Sequence, residues 1–327
     1  MARSDSFRKT NRRWMQNRKK KQFFSACLLL KVKIVALVML IVCIKDLYAK
    51  MQEMQMVLNR MEVLQYGTVQ AMVEVQDDDY YVSTISIIDV EKPQNRTREE
   101  IMQRLNELGK SDPVIKQIQD NSSLYPEDML AALANNPEMA DFVAGYVSAD
   151  HSIQSGLTKS EMEQEFPLFL QWDPRWGYQE YGKSSNIGIV GCGPTCLSMV
   201  LYYLTGNELL TPDRIGGYSM EHGYYVDEIG TAWVLMEDIP ALYGIAVAKP
   251  KLTDRAIKAE LDKGRIIICA MGEGDFTISG HFIVIYGYNQ QGYRVNDPNC
   301  VARSRRIWSF EEIQGQIKSI WSYASLN

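Results

Sequence analysis

The chain has few of the residues from which metal sites and disulfide frameworks are built. Its 327 residues contain six cysteines and three histidines. Cys27 and Cys43 lie in an apolar stretch near the start. The other four show no spacing typical of a zinc site: Cys192, Cys196, Cys269 and Cys300. The sequence therefore predicts no disulfide framework, no metal and no cofactor, and it leaves open a bridge that involves Cys300.

Basic residues are concentrated at the start of the chain. Residues 1–22 carry nine Lys or Arg against the single acid Asp5, a net charge of +8. The whole chain carries −5, so the remaining residues carry −13. Contacts with phosphates require clustered Lys and Arg. The acidic main body therefore argues against nucleic acid as a partner.

An apolar stretch follows these basic residues directly. Residues 23–44 are interrupted by one serine and two lysines only, and about 20 apolar residues suffice to cross a bilayer. We predict a transmembrane signal anchor over 23–47, with a cytoplasmic tail over 1–22 and the later residues outside the cytoplasm, since positive charge favours the cytoplasmic side. A cleaved signal peptide is the alternative, although Leu47-Tyr48-Ala49 is only a partial match to a cleavage site.

Two segments separate this anchor from the last domain. Residues 48–96 are predicted to form a stalk and linker, helical where methionines and a leucine recur at helical spacing: Met51, Met54, Leu58 and Met61. Residues 97–160 are predicted to form a small helical region that opens with a capping box, Thr97-Arg98-Glu99-Glu100. Further helices are predicted to follow Pro113, Pro126 and Pro137. This region contains no catalytic constellation, and its role and the oligomeric state stay open.

Residues 161–327 are predicted to form an α+β domain, in which a helix that carries a cysteine packs on an antiparallel sheet. Pro194 suits the first turn of this helix and Gly206 ends it. Strands are predicted at 265–271, 280–288, 293–296 and near 320–323. Shorter helices are predicted to begin at 211–213, 230–231, 253–254 and 309–312.

The cysteine helix begins at Gly191-Cys192-Gly193-Pro194. Cys192 then lies where unpaired amides and the helix dipole favour a thiolate. Cys196 lies one turn deeper and gains less from the dipole, so we predict that it packs in the core. Cys192 is therefore the candidate nucleophile.

A histidine and a carboxylate follow in an order that suits thiol catalysis. His151 precedes the domain and His222 lies in a predicted loop, whereas His281 enters a predicted buried strand. Asp297 closes the next strand, and the intervening hairpin can bring its carboxylate beside His281. For the oxyanion, the Cys192 amide is one donor, and Gln171 is the best side-chain candidate for the second.

Several motifs of residues 166–324 occur together in the order of a known family. They are Gln171-Trp172-Asp173-Pro174-Arg175-Trp176, Tyr181-Gly182, Gly191-Cys192-Gly193-Pro194-Thr195, Gly280-His281-Phe282 and Asn296-Asp297-Pro298-Asn299. This stretch resembles the family-39-like cysteine peptidases, relatives of the double-glycine leader peptidases of bacteriocin exporters, in bacterial membrane-anchored form. The resemblance implies a papain-like fold, with Cys192 as nucleophile, His281 as general base and acid, Asp297 as orienting group and Gln171 as oxyanion donor.

The resemblance does not extend to the whole of an exporter. No ATPase or multi-span transporter segment follows, so we do not transfer the leader-peptidase role, and Gln171 lies farther before Cys192 than in papain-like enzymes generally. The segments Tyr125-Pro126-Glu127 and Asn136-Pro137-Glu138 are similar to what precedes this domain in many bacterial surface proteins.

The sequence predicts a membrane-tethered thiol peptidase that acts on peptides or proteins outside the cytoplasm. Two alternatives keep the fold: a cell-wall peptide amidase or acyl transferase, and a non-catalytic surface module that binds peptides. Five aromatic side chains are assigned either to a peptide groove or to the core: Trp172, Trp176, Tyr224, Tyr225 and Trp233.

Overall fold

The computed structural model describes residues 33–34, 37–64, 82, 85–87, 89–149, 156–227 and 229–326. These residues belong to two compact units that divide between Leu58 and Asn59. The basic tail, residues 23–32, 35 and 36 of the predicted anchor, and His151 lie outside the described residues. Among those described, no helix combines the length and the apolar character needed to cross a bilayer.

In the first unit, residues 37–58 are helical, and in the second, residues 59–63 are helical. Met51, Met54, Leu58 and Met61 are therefore helical as predicted. The second unit holds everything else that is described below.

Residues 97–149 of the predicted helical region, all of which the structure describes, contain four α-helices. Each begins at a signal that the sequence shows, and the first two have side-chain caps on Thr97 and Asp112. The helices are α1 (Arg98–Leu108), α2 (Pro113–Asp120), α3 (Glu127–Asn135) and α4 (Ala140–Gly145). Short 3-10 helices at Ser122–Leu124 and Pro137–Met139 precede α3 and α4.

The carboxy-terminal part alternates helices and strands. Its helices are α5 (Lys159–Met162), α6 (Ile187–Val190), α7 (Cys192–Thr205), α8 (Pro212–Glu221), α9 (Leu235–Leu242), α10 (Asp254–Leu261), α11 (Val301–Arg305) and α12 (Phe310–Ile313). Its strands are β1 (Tyr225–Val226), β2 (Gly230–Thr231), β3 (Ile245–Ala248), β4 (Ile266–Met271), β5 (His281–Tyr288), β6 (Tyr293–Asn296), β7 (Ile307–Trp308) and β8 (Ile317–Ser325).

Six of the strands form one antiparallel sheet in the order β3-β8-β4-β5-β6-β7, and β1 and β2 form a separate hairpin. Neighbouring residues of β5 point to opposite faces. Val284 packs in the same core as Leu197 of α7, whereas Ile283 packs with Ile257 of α10 on the other face. Because both faces are covered, β4 is buried along its whole length.

The predicted α+β class, with a cysteine helix on an antiparallel sheet, is confirmed. One helix prediction is wrong: Gly230 and Thr231 form β2, which pairs with β1, and the next helix begins only at Leu235. Gly230 has a φ of 93°, a left-handed conformation that no helix start uses. The sequence also missed helices α5, α6 and α11 and strands β1, β3 and β7.

The helical region and the carboxy-terminal part share one hydrophobic core. The ring of Phe142 in α4 stacks on Tyr178 with centroids 4.5 Å apart. The same ring fills the space beside Gly188, where a Cβ would lie 2.3 Å from it. The Tyr178 hydroxyl donates to the Phe142 carbonyl at 2.7 Å. Helices α1 to α4 are therefore part of the structural body that carries the candidate site.

Candidate active site

Helix α7 begins at Cys192, as the sequence predicts. Gly191 caps it, and a Cβ on Gly191 would lie 2.6 Å from the Ile187 carbonyl, so α6 and α7 meet in a turn that has room only for glycine. Gly206 ends the helix with a left-handed φ of 65°. The first amides of a helix have no acceptor within it, so Cys192 lies at a donor-rich, partly solvent-accessible end.

Cys192 differs in exposure from the other cysteines of the domain. It is half-buried, whereas Cys196, Cys269 and Cys300 are fully buried. Burial raises the pKa of each of these three thiols, which keeps them protonated and unreactive. In the part of the chain that the structure describes, Cys300 is a free thiol and forms no bridge with Cys192, Cys196 or Cys269.

His281 is the first residue of β5 and is buried beside the Cys192 side chain. Its Nε2 lies 2.7 Å from Oδ1 of Asp297, and the Cys192 thiol is close enough to influence the pKa of the ring. Because Nε2 is engaged by the carboxylate, Nδ1 is the ring nitrogen that stays available for the thiol. Burial lowers the pKa of His281, but the charges of Asp297 and Cys192 outweigh this effect, so the pKa is raised.

Asp297 reaches His281 because β5 and β6 pair in register. Val284 pairs with Asn296, which places the residue after Asn296 beside the start of β5. The Asp297 carboxylate is fully buried, and it also accepts from the Asn299 amide at 2.8 Å and from Arg303 at 3.4 Å. Burial raises its pKa, but the charges of His281 and Arg303 exceed that effect, so the pKa is lowered.

Gln171 is buried close to α6. Its amide nitrogen donates to the carbonyls of Gly188 and Ile189 at 3.0 and 3.1 Å. Its side-chain oxygen has no partner among the described residues. Its backbone amide donates to the Pro298 carbonyl at 2.8 Å, which ties it to the turn after Asp297. An oxyanion role for Gln171 therefore requires its amide to release one of these carbonyls, and the role stays a prediction.

The hairpin of β1 and β2 lies against the start of α7. A Cβ on Gly193 would lie 2.9 Å from the Thr231 side chain. The Thr231 hydroxyl forms a 2.8 Å hydrogen bond with the Tyr181 hydroxyl, which lies 2.9 Å from Ser219. The sequence pattern predicts a helix at this position and therefore gives no sign of the Thr231 contacts.

The five aromatic residues with two assignments divide between core and surface. Trp172 and Trp176 are buried in the core. Tyr224 and Tyr225 are half-buried, and Trp233 is 49% exposed. Trp233 meets Trp321 edge-on at 5.7 Å, and Trp321 lies 6.4 Å from the ring of Phe282, the residue after His281. Only these three partly exposed side chains are therefore available to contact a ligand.

His222 does not join this cluster. It caps the end of α8, its Nδ1 donates to the Tyr218 carbonyl at 3.0 Å, and its Nε2 lies 3.4 Å from Glu62. Arg303, in contrast, contacts Asp297 and was missed by the sequence analysis. Its position six residues after Asp297 carries no motif, and only the fold of α11 brings it back to the carboxylate.

Comparison with known proteins identifies the domain that carries this cluster. Residues 163–325 match the Peptidase_C39 like family. This part of the chain belongs to that family. No curated protein matches the chain. The C39-like domain thus includes Gln171, Cys192, His281 and Asp297, whereas the helices α1 to α4 lie before the matched residues.

Proposed function

We propose that the C39-like domain is a cysteine peptidase with Cys192 as nucleophile, His281 as general base and acid, and Asp297 as the group that orients the histidine. The observation that carries the proposal is the continuous arrangement of thiol, imidazole and carboxylate at the start of α7, with 2.7 Å between His281 and Asp297. Family membership supports a peptide as substrate.

The arrangement accounts for each proton in the reaction. His281 takes the thiol proton through Nδ1, and the sulfur attacks the peptide carbonyl. When the tetrahedral intermediate collapses, the imidazolium gives its proton to the departing amine, and an acyl-enzyme forms. His281 then deprotonates water, which attacks the thioester, and the proton returns to the Cys192 sulfur. The buried Asp297 stabilises the imidazolium at both stages and fixes the orientation of the ring.

The oxyanion of each intermediate would lie at the amino end of α7. The Cys192 amide points there because the first amides of a helix have no internal acceptor. We propose Gln171 as the second donor, through an amide that exchanges a carbonyl of α6 for the oxyanion.

We propose that the enzyme is tethered to the membrane and acts outside the cytoplasm. The basic residues of 1–22 followed by the apolar residues of 23–44 support this location. A thiol-reactive probe that does not cross membranes, applied to intact cells, should label Cys192. Labelling that occurs only after the cells are lysed would place the domain on the cytoplasmic side instead.

Alkylation and product analysis test the activity. Iodoacetamide at neutral pH should modify Cys192 much faster than Cys196 or Cys300, and Cys192→Ala or His281→Ala should abolish cleavage of a peptide library. Cys269→Ala is the matched control, since this buried thiol lies on the far face of the sheet. Activity that survives in Cys192→Ala contradicts the proposed nucleophile, and cleavage of purified cell wall without cleavage of peptides would identify an amidase.

A further inference from the structure

Glu138 is a buried carboxylate that lies before the C39-like domain but bonds inside it. It is 3% exposed. One oxygen accepts from the Val301 amide at 2.7 Å and the other from the Ala302 amide at 2.8 Å. The thiol of Cys300 lies close to the same carboxylate and lowers its pKa. Glu138 thus binds the first amides of α11, where no acceptor exists within the helix.

Helix α11 and the turn before it form one unit with Asp297. The Cys300 amide donates to the Asp297 carbonyl at 3.1 Å. The Ser304 hydroxyl lies 2.8 Å from the Asp297 amide and 3.2 Å from its carbonyl. Arg303 contacts the carboxylate itself. A displacement of α11 would therefore move the backbone and the charge partner of Asp297 together.

Neighbours of Glu138 hold the same turn. The Asn136 amide donates to the Asn299 carbonyl, which also accepts from the Trp172 indole at 2.9 Å. On the other side, Val90 packs in a small apolar cluster with Cys300. The segment before the domain therefore contacts the turn through several side chains. Among them, Glu138 accepts hydrogen bonds from the first amides of α11.

A helix of five residues is too short to be stable alone. Burial of the Glu138 carboxylate is unfavourable and raises its pKa, although the bonds from Ala302 and Val301 partly offset this effect. The unfavourable burial of the Glu138 carboxylate is explained if this carboxylate must hold the amides of Val301 and Ala302 in place. The alternative is that Glu138 stabilises the whole domain with no particular effect on Asp297.

We propose that Glu138 is a positioning residue for the active site: its carboxylate fixes α11 and thereby the place of Asp297 against His281. The helical region is on this basis a structural part of the catalytic apparatus. The proposal rests on the proposed function, in which Asp297 orients His281.

The test uses NMR on the full chain to monitor the titration of His281 in the variants Glu138→Asp and Glu138→Gln. Glu138→Asp keeps the charge but shortens the arm, so it breaks the geometry alone, whereas Glu138→Gln keeps the shape and removes the charge and one acceptor. We expect the pKa of His281 to fall by about one unit or more in both variants, and the alkylation of Cys192 to slow by about tenfold.

Asp112→Asn is the matched control. Asp112 also accepts two amides at a helix start, those of Val114 and Ile115 at 2.8 and 3.2 Å, and it lies in the same helical region. It makes no bond to the turn after Asp297. We expect this variant to lose stability while the titration of His281 and the alkylation of Cys192 stay as in the wild type.

In a folded Glu138→Asp variant, fast hydrogen exchange of the Val301 and Ala302 amides would show that these amides are released. If His281 of that variant still titrates as in the wild type, the proposal is overturned. A shift in Glu138→Gln alone would also overturn it, because it would show an effect of charge without positioning. If Cys192 of the wild type is not selectively alkylated, the proposed function fails, and the His281 titration still decides the role of Glu138. Should Glu138→Gln not fold, Glu138→Asp carries the test.

Discussion

Thr231 packs directly on Gly193, the residue after the candidate nucleophile. A Cβ on Gly193 would lie 2.9 Å from both the Cγ2 and the Oγ1 of Thr231. This contact joins the hairpin of β1 and β2 to the first turn of α7, so the position of the hairpin and the position of the thiol depend on each other.

The first prediction concerns this contact. Gly193→Ala should lower the free energy of unfolding by about 1–3 kcal/mol, since an added methyl group in a closed space forces neighbouring atoms to move. It should also slow the alkylation of Cys192. Thr231→Ala removes the two nearest atoms, and the double variant should therefore recover part of the loss.

A double-mutant cycle by urea unfolding measures this coupling. Thr231→Ala alone should cost about 1 kcal/mol, because the Tyr181 hydroxyl loses one hydrogen bond. Additive effects of the two substitutions would show that the glycine is required for a reason other than its contact with Thr231.

The second prediction concerns pH and the pair of His281 and Asp297. Folding raises the pKa of His281, so its contribution to stability is complete below the ordinary value of about 6.5 and is lost as the pH rises through the raised pKa. Folding lowers the pKa of Asp297, so its contribution is present above about 3.9 and is lost as the pH falls through the lowered pKa.

Asp297→Asn should therefore lower the free energy of unfolding most between about pH 4 and 6.5, by about 3–5 kcal/mol. At higher pH the loss should become progressively smaller. Urea unfolding in a Cys192→Ala background, at several pH values across this range, measures the difference without the thiol. A penalty that grows as the pH rises above neutrality would contradict the sign of the His281 shift.

The third prediction concerns the buried ion cluster of Arg175. Its guanidinium lies 2.6 Å from Glu161 and 2.7 Å from Asp173, and all three side chains are buried. Arg175→Ala leaves two carboxylates without their partner and should cost about 3–5 kcal/mol. Arg175→Lys should also destabilise the protein, because an ammonium group cannot form the paired bonds of a guanidinium.

Lys159→Ala provides the control for this prediction in the same segment. Lys159 and Glu163 lie 3.9 Å apart and are both 70% exposed. Loss of this ion pair in Lys159→Ala should change the free energy of unfolding by less than about 0.5 kcal/mol. Thermal or urea unfolding compares the two pairs, and equal effects would show that burial of Arg175 does not strengthen its pairing.

The fourth prediction concerns Gln171. If its amide reaches the oxyanion, Gln171→Ala should lower kcat on a peptide substrate by about 10²–10³-fold with little change in KM. The variant also loses the bonds to Gly188 and Ile189, so its stability must be measured in parallel. A folded variant with a wild-type kcat would restrict Gln171 to the support of α6.

Local signals were sufficient to predict much of the site. Gly191, Pro194 and Gly206 mark the ends of α7, and the short turn after β5 fixes the register that brings Asp297 to His281. These features depend on residues close together in the chain. The structure therefore has the Asp297 carboxylate beside His281, as the hairpin predicts, while the catalytic roles of Cys192, His281 and Asp297 stay proposals.

The parts that were missed depend on distant contacts. Thr231 is held in β2 by the Tyr181 hydroxyl and by its contact with Gly193, and neither contact is visible in the local pattern. Helix α11 is one turn long and is completed by Glu138 from another part of the chain. The helix propensities of residues 301–305 alone do not predict α11, because the acceptor that stabilises it is distant in the sequence.

The separation of Glu138 from its partners has a consequence for the newly made protein. Glu138 and Val301 are 163 residues apart, and closing so long a loop requires that nearly the whole second unit has already been synthesised. Until then the Glu138 side chain stays hydrated and the turn after Asp297 lacks its support. The turn after Asp297 therefore gains this support only after Val301 and Ala302 have been synthesised.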